Sequence, residues 1–216
     1  PSKVVVLDPE GPGGQVGRLL QLGFAQEGVA ATLGPADPRA LDVPVDEVGV
    51  VVAVGDGAPA LAWVRTWREA LADARGDAAI VFAGRGATAA DARAAGADEV
   101  VAQPAFLRDV VTIGRMLRGR TPVQRTHLVG SLAELTGVYP LVRALAALGR
   151  SATLTLIRGL RRGEIRFFEG EVTSAQVGGL HGQGALHQLL LWTEARFELR
   201  NEPVVRRQQI PLSSDE

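Results

Sequence analysis

Apolar positions in the first 120 residues fall into short continuous runs separated by helical stripes. Residues 3–7, Lys-Val-Val-Val-Leu, are β-branched and end at Asp8, the pattern of a parallel strand buried on both faces. Comparable runs at 29–33, 48–54, 78–83 and 100–102 predict four more strands. Between them, Val16, Leu19, Leu20 and Phe24 recur at helical spacing in 13–27, and Leu61, Val64 and Leu71 in 59–75. Thr88, with Asp91 three residues on, opens a third helix that Gly96 stops, and Phe106, Val110, Ile113 and Leu117 line a fourth.

After residue 120 the pattern changes. The polar stretch 121–127 reads as a linker between a domain at 1–120 and a second at 128–216. Ser131 and Glu134 form a capping box, Pro140 fits the first turn of a helix with Leu141, Val142, Leu145 and Leu148 as its stripe, and Gly149 ends it. Three strands follow at 152–157, 163–168 and 171–177, the last two joined through Glu169-Gly170, then a helix at 184–192 and a strictly alternating strand at 194–200. The expected fold is an α/β, flavodoxin-like, five-stranded parallel sheet in the first half and a small α+β domain in the second.

Composition narrows the chemistry. A net charge of −1 provides no global attraction to nucleic acid or membrane, and no apolar run reaches the length of a membrane span. Cysteine is absent, which removes disulfides and thiolate chemistry, and the first residues lack a basic-then-apolar leader, so a cytoplasmic protein is expected. The loop from Gly11 to Gly17 has the wrong glycine spacing for a dinucleotide site and no Gly-Lys-Ser/Thr for a phosphate loop. His181 and His187 lie six residues apart, outside helical metal-pair spacing, and His127 is remote in sequence, so no metal site and no catalytic residue is assigned.

The stretch from Asp91 to Pro104, Asp-Ala-Arg-Ala-Ala-Gly-Ala-Asp-Glu-Val-Val-Ala-Gln-Pro, resembles the last helix, turn and strand of a response-regulator receiver domain. The resemblance implies two acids after strand one holding magnesium, a phosphoryl-accepting aspartate ending strand three, a hydroxyl residue ending strand four, and a lysine before the final proline. Here those positions carry Asp8 and Pro9, with Glu10 one residue late; Ala53, with Asp56 the nearest carboxylate; Ala83; and Gln103. The aromatic switch position falls on Val100. Phosphoryl transfer needs a metal and a cation to offset the charge on three equatorial oxygens, so the combined replacements imply a pseudo-receiver.

The second half resembles the PATAN domain of multidomain bacterial signalling proteins. The matching residues are Gly130-Ser-Leu with Glu134-Leu135, Ala152-Thr-Leu-Thr-Leu, the run from Gly163 to Gly170, Thr173-Ser-Ala175, Gly184-Ala-Leu, and Leu191-Trp192 before Phe197. This resemblance implies a non-enzymatic interaction module without a cofactor. Receivers commonly dimerise or bind partners through the helices flanking strand five, which nominates Arg93, Arg108 and Arg115; Phe168 and Trp192 are the aromatic anchor candidates of the second half. Arg158, Arg161, Arg162 and Arg166 gather around a hairpin.

The expected function is therefore a bacterial signalling adaptor working through protein contacts, independent of aspartyl phosphorylation. By resemblance, the partner is a small Ras-like GTPase or another signalling protein, and a homodimer is compatible with it. The competing reading is a response regulator phosphorylated at Asp56, with magnesium held by Asp8 and Glu10.

Overall fold

The computed structural model describes residues 2–8 and 15–201. The chain divides between Pro122 and Val123 into two compact units. No helix among the described residues is long and apolar enough to cross a membrane.

The first unit is a five-stranded, all-parallel, flavodoxin-like sheet. Its strands are β1 (Lys3–Leu7), β2 (Ala31–Gly34), β3 (Val48–Asp56), β4 (Ala79–Arg85) and β5 (Glu99–Val100), in spatial order β2-β1-β3-β4-β5. Four helices accompany them: α1 (Gln15–Gln26), α2 (Gly57–Asp73), α3 (Ala89–Ala94) and α4 (Leu107–Leu117). Val4 to Leu7 and Val50 to Val52 are completely buried, as continuous apolar strands require when helices cover both faces of a sheet. Thr88 and Asp91 form a reciprocal capping box at α3, and Gly96 takes φ +108° where that helix has ended.

Several predicted limits are corrected. The fifth strand is Glu99–Val100 rather than 100–102, and β3 and β4 run on to Asp56 and Arg85. Val16 and Leu19 of α1 are exposed, whereas Gly17, Leu20 and Phe24 form its buried stripe. Close approach to the residue after β1 and to β2 accompanies this rotation: an added Cβ on Gly17 would lie 2.9 Å from Asp8 and 3.0 Å from Leu33. Phe106 precedes α4 as its N-cap residue and stays 57% exposed instead of joining the apolar face. α1 meets α4 closely, with a Cβ on Gly23 reaching Val111 at 3.0 Å and one on Gly114 reaching Phe24 at 2.6 Å.

Between β2 and β3 the chain makes two 3₁₀ turns, Pro38–Ala40 and Val45–Glu47, where a flavodoxin-like unit would usually place a helix. Prolines at 35, 38 and 44 remove the backbone donors that such a helix would need. Trp67 of α2 is fully buried, and its indole N–H donates to the Pro35 carbonyl at 3.1 Å.

The second unit contains a six-stranded antiparallel sheet. Its elements are β6 (His127–Ser131), α6 (Val138–Ala147), β7 (Ala152–Arg158), β8 (Arg161–Phe168), β9 (Glu171–Val177), β10 (Leu180–His181), α7 (Gly182–Leu190) and β11 (Arg196–Arg200), with strand order β10-β9-β8-β7-β11-β6. β6 and β10 are additions to the predicted set, and residues expected as a linker form α5 (Pro122–Thr126) and the start of β6. Ser131 caps a 3₁₀ turn, Leu132–Glu134, through the Ala133 N–H. Glu169 and Gly170 both have positive φ, 50° and 87°, giving the tight hairpin expected there.

Alternation separates the two faces of this sheet. Leu154, Leu156, Ile165, Phe167, Phe197 and Leu199 are buried, and α7 packs closely enough that a Cβ on Gly163 would collide with Leu189.

Candidate functional site at the carboxyl ends of the parallel strands

Ligands of doubly wound sheets bind beyond the carboxyl ends of the strands, and Asp8, Asp56, Ala83 and Gln103 all belong to that end of the first unit. Pro9 and Glu10, along with the glycines at 11 and 13, lie outside the described residues.

Asp8 directly follows β1 and is 6% exposed. Its Oδ2 accepts the Gly17 N–H at 2.7 Å, so the carboxylate meets an amide in the first turn of α1. Negative charge is favourable there because the amides at a helix start point toward it.

β1 and β3 are paired with Leu7 level with Ala53, and Ala53 is 1% exposed. Asp56 therefore stands two residues beyond the level of Asp8, a displacement of roughly 7 Å along the strand. Its side chain is 62% exposed, and its Oδ1 accepts the Arg85 N–H at 3.2 Å and lies 3.5 Å from Arg85 Nε. Asp56 ends β3 rather than occupying the loop after it.

On β4, Ala83 pairs with Val54 and Gly84 with Gly55. A side chain at 84 would be driven into the Gly55 carbonyl oxygen. The next crossover begins at Gln103, whose peptide bond to Pro104 is cis. Its amide donates to the Gly84 carbonyl at 3.1 Å, and its side-chain oxygen accepts the Ala105 N–H at 3.0 Å.

This end of the sheet thus combines two carboxylates in different settings, a neutral amide and the Arg85 guanidinium. Lys3, the only lysine in the sequence, begins β1 at the opposite end and pairs with Glu47 at 3.0 Å. Among the described residues, no group of three or more His, Asp or Glu side chains converges to hold a metal ion. Asp8 is buried against a helix amide, and Asp56 is paired with Arg85. Arg85 was not among the residues singled out from the sequence: its relation to Asp56 arises only from the β3–β4 register.

The nominated contact residues differ in exposure. Arg93 on α3 and Arg108 on α4 are exposed. Arg115 is not: its side chain is 12% exposed and its Nη1 donates to Glu27, just beyond α1. Trp192 is 3% exposed, with Arg158 Cζ 5.9 Å from its ring centroid, so it serves the interior rather than an open contact face. Phe168 is half-buried at the end of β8 remote from that pair.

Two carboxyl groups are held below their usual range. Asp91 is lowered chiefly by the Thr88 hydroxyl, which donates to it at 2.7 Å, and Glu198 by Arg200 first and His127 second. Glu198 lies in the second unit, and Asp91 lies in the first turn of α3, just after the carboxyl end of β4.

No protein-family model matches this chain, and no curated protein matches it in sequence.

Proposed function

We propose that this chain is a signalling adaptor: a degenerate receiver joined to a PATAN-type interaction module, acting through protein contacts without aspartyl phosphorylation. The observation carrying this reading is the setting of Gln103. Where a receiver would present a lysine to the phosphoryl group, a neutral amide is tied to the Gly84 carbonyl. A phosphoryl oxygen there would meet no formal charge from this side chain, whereas phosphoryl transfer depends on cationic compensation of the equatorial oxygens. Ala83 adds no hydroxyl, and buried Ala53 no carboxylate. The partner is a protein, with a small Ras-like GTPase or a second copy of the chain among the classes that the resemblance suggests.

The other reading, a response regulator phosphorylated at Asp56, draws on the exposure of Asp56 and the guanidinium of Arg85 beside it. Incubating the full chain with magnesium and acetyl phosphate, followed by intact mass, separates the two. The adaptor reading expects no adduct; stoichiometric phosphorylation at Asp56 overturns it.

A further inference from the structure

The uncovered face of the second unit's sheet carries its charges in rows set by strand register. One row aligns Arg196, Ile157 and Arg162; the next aligns Glu198, Thr155 and Glu164; the third aligns Arg200, Thr153 and Arg166. Both glutamates are committed to the third row, Glu164 to Arg166 at 2.7 Å and Glu198 to Arg200 at 2.6 Å. Arg162 and Arg196 are left without a carboxylate partner among the described residues. So are Arg158 and Arg161, which face each other across the β7–β8 hairpin. All four are exposed, and strand alternation divides them: Arg162 and Arg196 stand on the uncovered face, whereas Arg158 and Arg161 fall in line with the buried Leu154, Leu156, Ile165 and Phe167 on the opposite face.

Like charges directly opposite one another on adjacent strands are destabilising, and among the described residues the Arg158–Arg161 pair is offset only by the Trp192 ring beside Arg158. The imbalance is local: residues 123–201 contain nine arginines against six carboxylates, within a chain of net charge −1. Apolar groups share the same end of the sheet. Leu160 at the hairpin tip is fully exposed, Ile157 is 40% exposed between Arg196 and Arg162, and Leu180 is 50% exposed. Leu160, Leu180 and the buried Val177 line a concavity of about 400 Å³ together with Arg161, Arg162 and Gln188 of α7, so it opens beside α7 rather than on the uncovered face. At its rim, a Cβ on Gly178 or Gly179 would meet no other atom within 4 Å, so the backbone there is open to approach.

We infer that this end of the sheet is a docking surface for an acidic segment of a partner protein that carries an aliphatic side chain. Carboxylates on the segment supply the bidentate acceptors that the guanidiniums lack, and its aliphatic group occupies the concavity beside Leu160 and Leu180. Nucleic acid would satisfy the charges but leave the leucines unused, and the tryptophan nearby is buried beneath Arg158 rather than offered for stacking. An anionic bilayer would take the Leu160 tip but leave the concavity unfilled. The choice of a protein ligand rests on the adaptor reading.

The test is selection of peptides from a random phage-displayed library on the immobilised full chain, followed by anisotropy titration of the winning sequences. Selected peptides should combine Asp or Glu with Leu or Ile, and the double variant Arg161→Glu/Arg162→Glu should weaken them about tenfold or more. Leu160→Ser should weaken them in the same direction, and circular dichroism checks that each variant folds. If the double variant does not fold, the neutral pair Arg161→Gln/Arg162→Gln replaces it. The proposal is overturned if no acidic-aliphatic peptides are enriched, if folded variants bind them unchanged, or if phosphatidylglycerol vesicles or a DNA oligonucleotide bind this surface more tightly than the peptides do. Phosphorylation of Asp56 by acetyl phosphate would instead strike the adaptor reading, so the two failures are distinguishable.

Discussion

Gln103 and Gly84 are joined by a hydrogen bond of 3.1 Å from the glutamine amide to the glycine carbonyl, tying the crossover after β5 to the end of β4. The same side chain accepts the Ala105 N–H, so it is bound from both directions. Gln103→Ala is expected to cost about 1–2 kcal/mol in urea denaturation, the sum of two modest hydrogen bonds at a partly exposed site. Gln103→Lys supplies the missing cation but no hydroxyl at 83 and no carboxylate at 53. It is expected to remain unlabelled by acetyl phosphate, and a stoichiometric adduct on this single variant would contradict the account of the strand ends.

Gly84 is required by its neighbour strand. Any side chain there would collide with the backbone of Gly55, which cannot move without disrupting the β3–β4 ladder. Gly84→Ala is expected to destabilise by about 3 kcal/mol or more, at or beyond the usual range for overpacking. Near-parental stability in urea would show that the ladder yields easily.

Asp8 holds the start of α1 against the end of β1. Asp8→Ala leaves the Gly17 N–H without this acceptor and is expected to lose about 1–3 kcal/mol, with Asp8→Asn losing less because it keeps an acceptor oxygen. If the asparagine variant is the less stable of the two, the carboxylate's role is not that of a helix-start acceptor.

Trp67 of α2 sits in the core and ties the segment after β2 to that helix through Pro35. Trp67→Ala removes a fully buried ring and its bond to Pro35, and a loss of about 3–5 kcal/mol is expected. Trp67→Phe should retain most of the packing and lose less. Equal losses would place the effect in the hydrogen bond alone.

Glu198 makes the second unit's stability depend on pH. Its folded pKa is depressed by Arg200 and then His127, so the unfolded chain binds its proton more readily. The contribution is therefore present above the ordinary glutamate range and is lost as pH falls through the depressed folded value. Glu198→Gln should be less stable than the parent at neutral pH, and the difference should shrink as the solution is acidified. A difference that persists unchanged in urea titrations at low pH would rule out this ionisation as its source.

Much of the fold was legible because it rests on local periodicity. The β-branched runs at 3–7 and 48–54, the alternation at 152–157 and 163–168, and the capping pair Thr88 and Asp91 each state their conformation within a few residues. The same local signals misjudged α1, whose orientation accompanies the close approach of Gly17 to Asp8 and Leu33 and does not follow the sizes of Val16 and Leu19. They also missed β6 and β10. A strand of two residues such as β10 exists only through its pairing with Val177 and Gln176, and β6 only through β11, some seventy residues later in sequence.

At the candidate site, the residue types were readable and their relationships were not. The sequence alone determined that Gln103 stands where the resemblance expects lysine, that Ala83 lacks a hydroxyl, and that Lys3 is the only lysine. Tertiary structure decided that Gln103 bonds to Gly84, that Asp8 is buried against α1 while Asp56 faces Arg85, and that Arg115 is used up by Glu27. It also sorted the hairpin arginines, aligning Arg196 with Arg162 across Ile157, setting Arg158 opposite Arg161 on the other face, and assigning Arg166 to Glu164. Hydropathy acts residue by residue and can be read along the chain, whereas charge pairing and strand register depend on which distant segments the folded backbone brings within a few ångströms.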